Sequence, residues 1–169
     1  MWIVPTANIN IENYQGNNIK PLSILIAAYQ TQDFIEETLD SIENQTYFIA
    51  NDDFEVLVGV DGCEKTLNKL MEIRHKYRNL RIFMMSKNMG TYVTFNTLFE
   101  ISRYSYVLRF DSDDIMNSNM VERYVAKING FDIVRSQYNI YSEGKLSNYP
   151  FIDYANGVVL FRRNVIEAC

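Results

Sequence analysis

Four short apolar runs, each of strand length and each ending on polar residues, constrain this chain more than any other feature. They are LSILIAAY after Pro21, FEVLVGV up to Asp61-Gly62, LRIFMMS leading to Asn88 and Gly90, and YSYVLRF ending in Asp111-Ser112-Asp113-Asp114. Runs that stay apolar without alternating are buried on both faces, as parallel strands are when helices cover both sides of a sheet. The intervening segments have helical spacing. From Gln32 to Gln45, Ile35, Leu39 and Ile42 fall on one face, and Glu36, Glu37, Asp40 and Glu43 fill the other. Leu67, Leu70 and Met71, then Val93, Leu98 and Phe99, repeat the pattern, and a further helix is expected over Met120 to Ile128.

Strand and helix therefore alternate, which predicts an α/β fold with a Rossmann-like, mostly parallel sheet and helices on both faces. The remainder predicts a small antiparallel C-terminal part. FDIVRSQYNIYSEGKLSNY alternates as a strand and a hairpin around Glu143-Gly144, and Gly157 to Phe161 reads as one more strand. With 169 residues the chain holds one core, divided here as an asparagine-rich N-terminal arm over 1–20 and a domain over 21–169.

Composition removes several functions. A formal net charge of -5 offers no basic field, so no nucleic-acid partner is expected. No apolar run reaches the roughly 18 residues of a membrane span, and the first twenty residues lack the pattern of a secretory signal, so a cytoplasmic location is expected. Cys63 and Cys169 form no zinc-spaced cluster, and His75, the single histidine, lies in a charged helical stretch. Histidine-based nucleophile activation and multi-histidine metal sites are excluded, and any chemistry falls to carboxylates.

In open parallel sheets, ligands bind beyond the carboxyl ends of the strands. Asp61, Asn88, Gly90, Asp111, Asp113 and Asp114 all fall at such ends. Like charges clustered as in 111–114 are tolerated around a cation, and an all-oxygen set suits Mg2+ or Mn2+. The competing reading is that one of these aspartates caps the helix beginning near Asn117. Asp61-Gly62 is also a common turn pair. Tyr29 could stack on a nucleobase or serve as a rim aromatic. Arg162 and Arg163, after the last strand, could grip a diphosphate or simply face solvent.

Taken in order, these motifs resemble the family-two glycosyltransferases, an inverting group with the GT-A fold, from Leu22 to Cys169. LSILIAAYQTQDFIEETLDSIENQTY resembles the opening strand and helix, FEVLVGVDG the second strand and its aspartate, and KNMGTYVTFN the asparagine-glycine loop. RFDSDD resembles the acidic metal motif, and NGVVLFRRNVIEA the closing strand with its arginine pair. The resemblance implies a nucleotide-diphosphate sugar donor, usually a UDP-sugar, held by Ala27, Ala28, Tyr29, Asp61, Asn88, Gly90, Asn96, Asp111, Ser112 and Arg163. It implies Mn2+ or Mg2+ on Asp111, Asp113 and Asp114, with Asp113 foremost, and transfer to a carbohydrate or other hydroxyl acceptor with inversion.

The chain departs from the family pattern in three places. The first strand ends Ala27-Ala28-Tyr29-Gln30 without the usual polar contacts, and the basic residue expected just before Asn96 is Phe95. The family's general base lies in a segment after the helix that starts near Asn164, whereas this sequence stops at Cys169. Asp153 is the carboxylate expected to substitute, or else a partner domain or chain supplies the acceptor side. Two alternatives remain: a non-catalytic nucleotide-sugar-binding module, and a sugar-phosphate nucleotidyltransferase. The second would need a glycine-rich, basic loop where this chain has AAYQTQ.

Overall fold

The computed structural model of the chain describes residues 2–3, 19–49, 51–135, 141–142, 145–146 and 158–167. In chain order the elements are β1 (Trp2–Ile3), β2 (Leu22–Ala28), α1 (Ile35–Glu43), α2 (Thr46–Ile49), β3 (Phe54–Val60), α3 (Glu64–Ile73), β4 (Leu80–Met84) and α4 (Thr91–Ile101). There follow β5 (Tyr106–Asp111), β6 (Ile115–Met116), α5 (Met120–Lys127), β7 (Ile133–Arg135), β8 (Tyr141–Ser142), β9 (Lys145–Leu146), β10 (Val159–Arg162) and α6 (Arg163–Glu167). Each of the four apolar runs is a strand. The short helix α2 was not anticipated, because one turn carries too few residues to show a period.

The main sheet has the order β4-β3-β2-β5-β10-β7. Strands β4, β3, β2 and β5 are parallel, and β10 runs antiparallel to both β5 and β7. The predicted hairpin around Glu143-Gly144 is present as the antiparallel pair β8–β9. Strand β1, from the N-terminal arm, pairs in parallel with β6.

Side chains of β2, β3 and β5 alternate between two apolar layers. On one face Ile24, Ile26, Val56, Val58, Leu108 and Phe110 pack against Leu39 and Ile42 of α1, Leu70 of α3 and Val121 and Val125 of α5. On the other, Leu25, Leu57 and Val107 meet Phe95, Leu98 and Phe99 of α4 together with Phe161. Gly59 makes the second layer thin: a Cβ there would stand 2.5 Å from Thr94 Cγ2, so its absence lets α4 lie close against the sheet.

One carboxylate breaks the apolar pattern of β3. Glu55 has no exposed side-chain surface and receives Ser23 Oγ at 2.8 Å, Arg81 Nη1 at 2.7 Å, and Arg103 N and Nε at 2.6 and 2.9 Å. Burial would raise its pKa, but these donors outweigh burial and hold it below the usual carboxylate value. The network ties β2, β3, β4 and the segment before β5 together at the amino end of the strands.

A candidate donor and metal site at the carboxyl edge of the sheet

The chain leaves β2 toward β3 and β4 on one side, then returns to place β5 on the other, so the strand order reverses between β2 and β5. Such reversal points open a crevice at the carboxyl ends of the strands. A cavity of about 390 Å³ lies there, lined by Ala27, Ala28, Tyr29, Thr31, Asp61, Thr91, Arg109, Asp111, Ser112 and Asp113. Seven of the residues expected from the sequence thus meet in one space: Ala27, Ala28, Tyr29, Asp61, Asp111, Ser112 and Asp113. Thr31, Thr91 and Arg109 were missed. Arg109 did carry a signal, as a charge inside an apolar strand two residues before Asp111 and so on the same face.

Asp61 is buried and spends its carboxylate on the next loop: Met89 N donates to Oδ1 at 2.6 Å and Gly90 N to Oδ2 at 2.8 Å. Gly62 makes that approach possible. Its φ is +71°, and a Cβ would fall 2.3 Å from Asn88 N. Asp61 therefore anchors the start of α4 beside the cavity. Tyr29 is 44% exposed at the rim, followed by Gln30 in the left-handed region at φ 56°. Thr31 N donates to the fully buried Thr66 Oγ1 at 3.1 Å, which fixes this loop to α3.

The acidic turn is held by α1 and by Gln45 just beyond its end. Thr38 Oγ1 donates to the Ser112 carbonyl at 3.0 Å, and Ser41 Oγ accepts from Met116 N at 3.0 Å. Gln45, fully buried, donates to the Asn117 carbonyl at 2.8 Å and accepts from Val121 N at 3.0 Å. The glutamine of the Gln45-Thr46-Tyr47 motif is thus a tether for the loop that carries the carboxylates.

Within that turn the three aspartates differ. Asp111 and Asp113 line the cavity, whereas Asp114 is buried and does not. Burial pushes Asp111 above the usual carboxylate range; the Arg109 guanidinium, 3.5 Å away, opposes the rise and the Asp113 charge adds to it. Asp114 is pushed up to about 7, first by burial and then by the charges of Asp111 and Asp113. Of the three carboxylates expected around a metal, Asp111 and Asp113 therefore face the cavity, because the strand's two-residue alternation ends at Asp111 and the turn carries Asp114 inward. The capping alternative fails as well: α5 is preceded by Asn119, and no side chain caps it.

No group of three or more potential metal ligands occurs among the described residues. Two carboxylates still fit a hard divalent ion, since Mg2+ is commonly held by one or two carboxylates together with substrate phosphates and water. A cation here would offset both the burial that raises Asp111 and the smaller contribution of the Asp113 charge.

Other expected donor contacts lie elsewhere. Asn88 is exposed and its Oδ1 accepts from Gly90 N at 3.1 Å, while Asn96 is exposed on α4; neither lines the cavity. Arg163 lies away from the cavity as well. Because β10 runs antiparallel to β5, Arg163 falls at the amino end of β5, opposite the cavity. Its fork donates to the carbonyls of Phe99 at 3.2 Å, Ser102 at 2.8 Å and Tyr104 at 3.2 Å, and to Ser102 Oγ. Asp153 lies outside the described residues.

Residues 23–166 match the model of a family described as "Glycosyl transferase family 2", and the chain belongs to that family. It is 32% identical over 105 residues to a poly(ribitol-phosphate) beta-glucosyltransferase of Bacillus spizizenii, covering 61% of this chain and 16% of that protein. Among solved structures, S. aureus TarS 1-349 in complex with UDP superposes with a TM-score of 0.70 at 21% identity, over 87% of this chain and 48% of that one. The mannosyltransferase PcManGT from Pyrobaculum calidifontis, in complex with GDP-Man and Mn2+, gives 0.61 at 19% identity, over 64% and 32%. The fold is GT-A. The chain spans less than half the length of each of these three proteins. No described helix is long and apolar enough to cross a membrane.

Proposed function

We propose that this chain is the donor-binding domain of a glycosyltransferase that takes a sugar from a nucleoside-diphosphate donor, a UDP-sugar, and passes it to an acceptor hydroxyl with inversion. The convergence of Tyr29, Asp61, Asp111 and Asp113 on one cavity at the β2–β5 crevice carries the reading. Tyr29 offers a ring face to the base, and Ala27 leaves space beside the strand for the nucleoside. Asp111 and Asp113 would hold Mn2+ or Mg2+, which when bound offsets charge growing on the departing diphosphate. The start of α4, kept in place by Asp61, presents Thr91 to the same space.

An inverting transfer also requires a carboxylate that takes the acceptor's proton. Of the carboxylates lining the cavity, Asp61 is engaged by two backbone amides and Asp111 and Asp113 are assigned to the metal. This division favours a base from outside the described residues, either Asp153 or a segment of a partner domain or chain. If neither supplies it, the chain is a nucleotide-sugar-binding module without turnover.

A thermal-shift comparison of UDP, GDP and ADP, each with Mn2+, tests the donor assignment. Near a hundredfold excess over Kd, UDP should raise Tm by about 5–10 °C. Equal shifts for the three nucleotides would rule out the uridine preference.

A further inference from the structure

Among the residues lining the cavity, Arg109 alone carries positive charge, against the carboxylates of Asp61, Asp111 and Asp113. A nucleoside diphosphate adds further negative charge. Arg109 stands two residues before Asp111 on β5, so the strand period turns both toward α4. Its guanidinium lies 5.7 Å from the ring centroid of Tyr92 and 6.0 Å from that of Phe95, a stack that limits where the fork can point.

The side chain is only 18% exposed, yet most of its donors are unspent. Its one hydrogen bond among the described residues is to Asp111 Oδ1 at 3.5 Å. That is well beyond the about 2.7–2.9 Å of a charge-assisted bond. Its other N–H groups find no acceptor among the described residues. Arg163 makes the contrast, with its fork committed to three carbonyls and a hydroxyl. A guanidinium mostly buried against two rings, with free donors facing a cavity, is arranged for an anion.

We propose that Arg109 is the phosphate-binding residue of this site, donating from its free N–H groups to the diphosphate oxygens of the donor. The assignment rests on the donor-site reading above. Helix α4 offers an apolar ring at Phe95 in this corner, so the cation comes from the strand, and Phe95 with Tyr92 serves as the surface on which it is aimed.

The test titrates UDP calorimetrically and uridine by NMR, both with Mn2+, into the wild-type chain, R109Q and R109K, with circular dichroism confirming that each is folded. R109Q should weaken UDP roughly 10- to 100-fold and leave uridine unchanged. R109K, which keeps the charge without the fork, should fall between. Unchanged UDP affinity in R109Q would overturn the assignment while leaving the donor site standing. Equal losses of UDP and uridine would overturn it too, by showing that Arg109 acts through the shape of the site. A folded wild type that binds neither would remove the donor-site reading itself.

Discussion

Gly62→Ala should injure both the fold and the site, by an amount the geometry allows to be worked out. At φ +71° a side chain carries a conformational cost of about 1–2 kcal/mol. The new Cβ would also stand 2.3 Å from Asn88 N and 2.4 Å from Lys87 C, both backbone atoms that cannot rotate aside. Reaching ordinary contact near 3.4 Å requires the 87–90 loop to retreat by about 1 Å. The same loop donates Met89 N and Gly90 N to Asp61 at 2.6 and 2.8 Å, so the retreat stretches both bonds past useful length. Hydrogen bonds to a charged group contribute about 1.5–3 kcal/mol each, and partial loss of two brings the total to about 3–5 kcal/mol. For a domain of this size that lowers Tm by roughly 10 °C. Gly130→Ala is the control: its φ is +86° with nothing within 4 Å of the new Cβ, so it bears the conformational cost alone. Urea denaturation of the two variants measures the difference, and UDP titration should show about a tenfold loss in G62A alone. If G62A is no less stable than G130A and binds UDP as the wild type does, Asp61 does not organise the loop as described.

Two further predictions separate structural residues from site residues. Arg163→Ala should cost about 2–3 kcal/mol, read by denaturation, through the lost hydrogen bonds to the carbonyls of Phe99, Ser102 and Tyr104, and should leave UDP affinity unchanged; a loss of UDP affinity would return it to the donor site. Glu55→Gln should cost about 2–3 kcal/mol at pH 7, less than a fully buried pair, because Arg81 and Arg103 reach solvent. Since the folded pKa of Glu55 is lowered, its contribution is present above the unfolded value near 4.5 and is lost as pH falls through the folded one. The stability gap between wild type and E55Q should therefore close in acid, and a gap that stays constant to pH 2 would contradict the ion network.

The strands of the parallel sheet were legible because each is a continuous apolar run, and the site was legible because its polar residues stand where those runs end. The antiparallel sense of the C-terminal part was legible as well, but its pairing was not. Nothing in Val159 to Arg162 says that this segment lies beside β5, and that placement sends Arg163 to the far end of the sheet. The burial of Asp114 was not legible for a related reason: period-two reasoning holds on a strand and lapses at the turn after Asp111. The anchoring role of Asp61 depends on a fold-back of the 87–90 loop onto Gly62, a contact between segments far apart in sequence. Thr38 and Gln45 read as ordinary polar positions of an amphipathic helix until the acidic turn was seen to hang from them. Arg109 was visible as a charge in an apolar strand, but its meaning required Tyr92 and Phe95 to be placed beside it.

In the function proposed for this chain, Asp111 and Asp113 with a divalent cation complete a site for a nucleoside diphosphate. Isothermal titration of UDP into the wild type and Asp113→Ala, with Mn2+ and with a chelator, tests it most directly. Mn2+ should tighten UDP binding at least about tenfold, and D113A should abolish that gain. A folded wild type whose UDP affinity is the same in Mn2+ and in chelator, or absent in both, would contradict it.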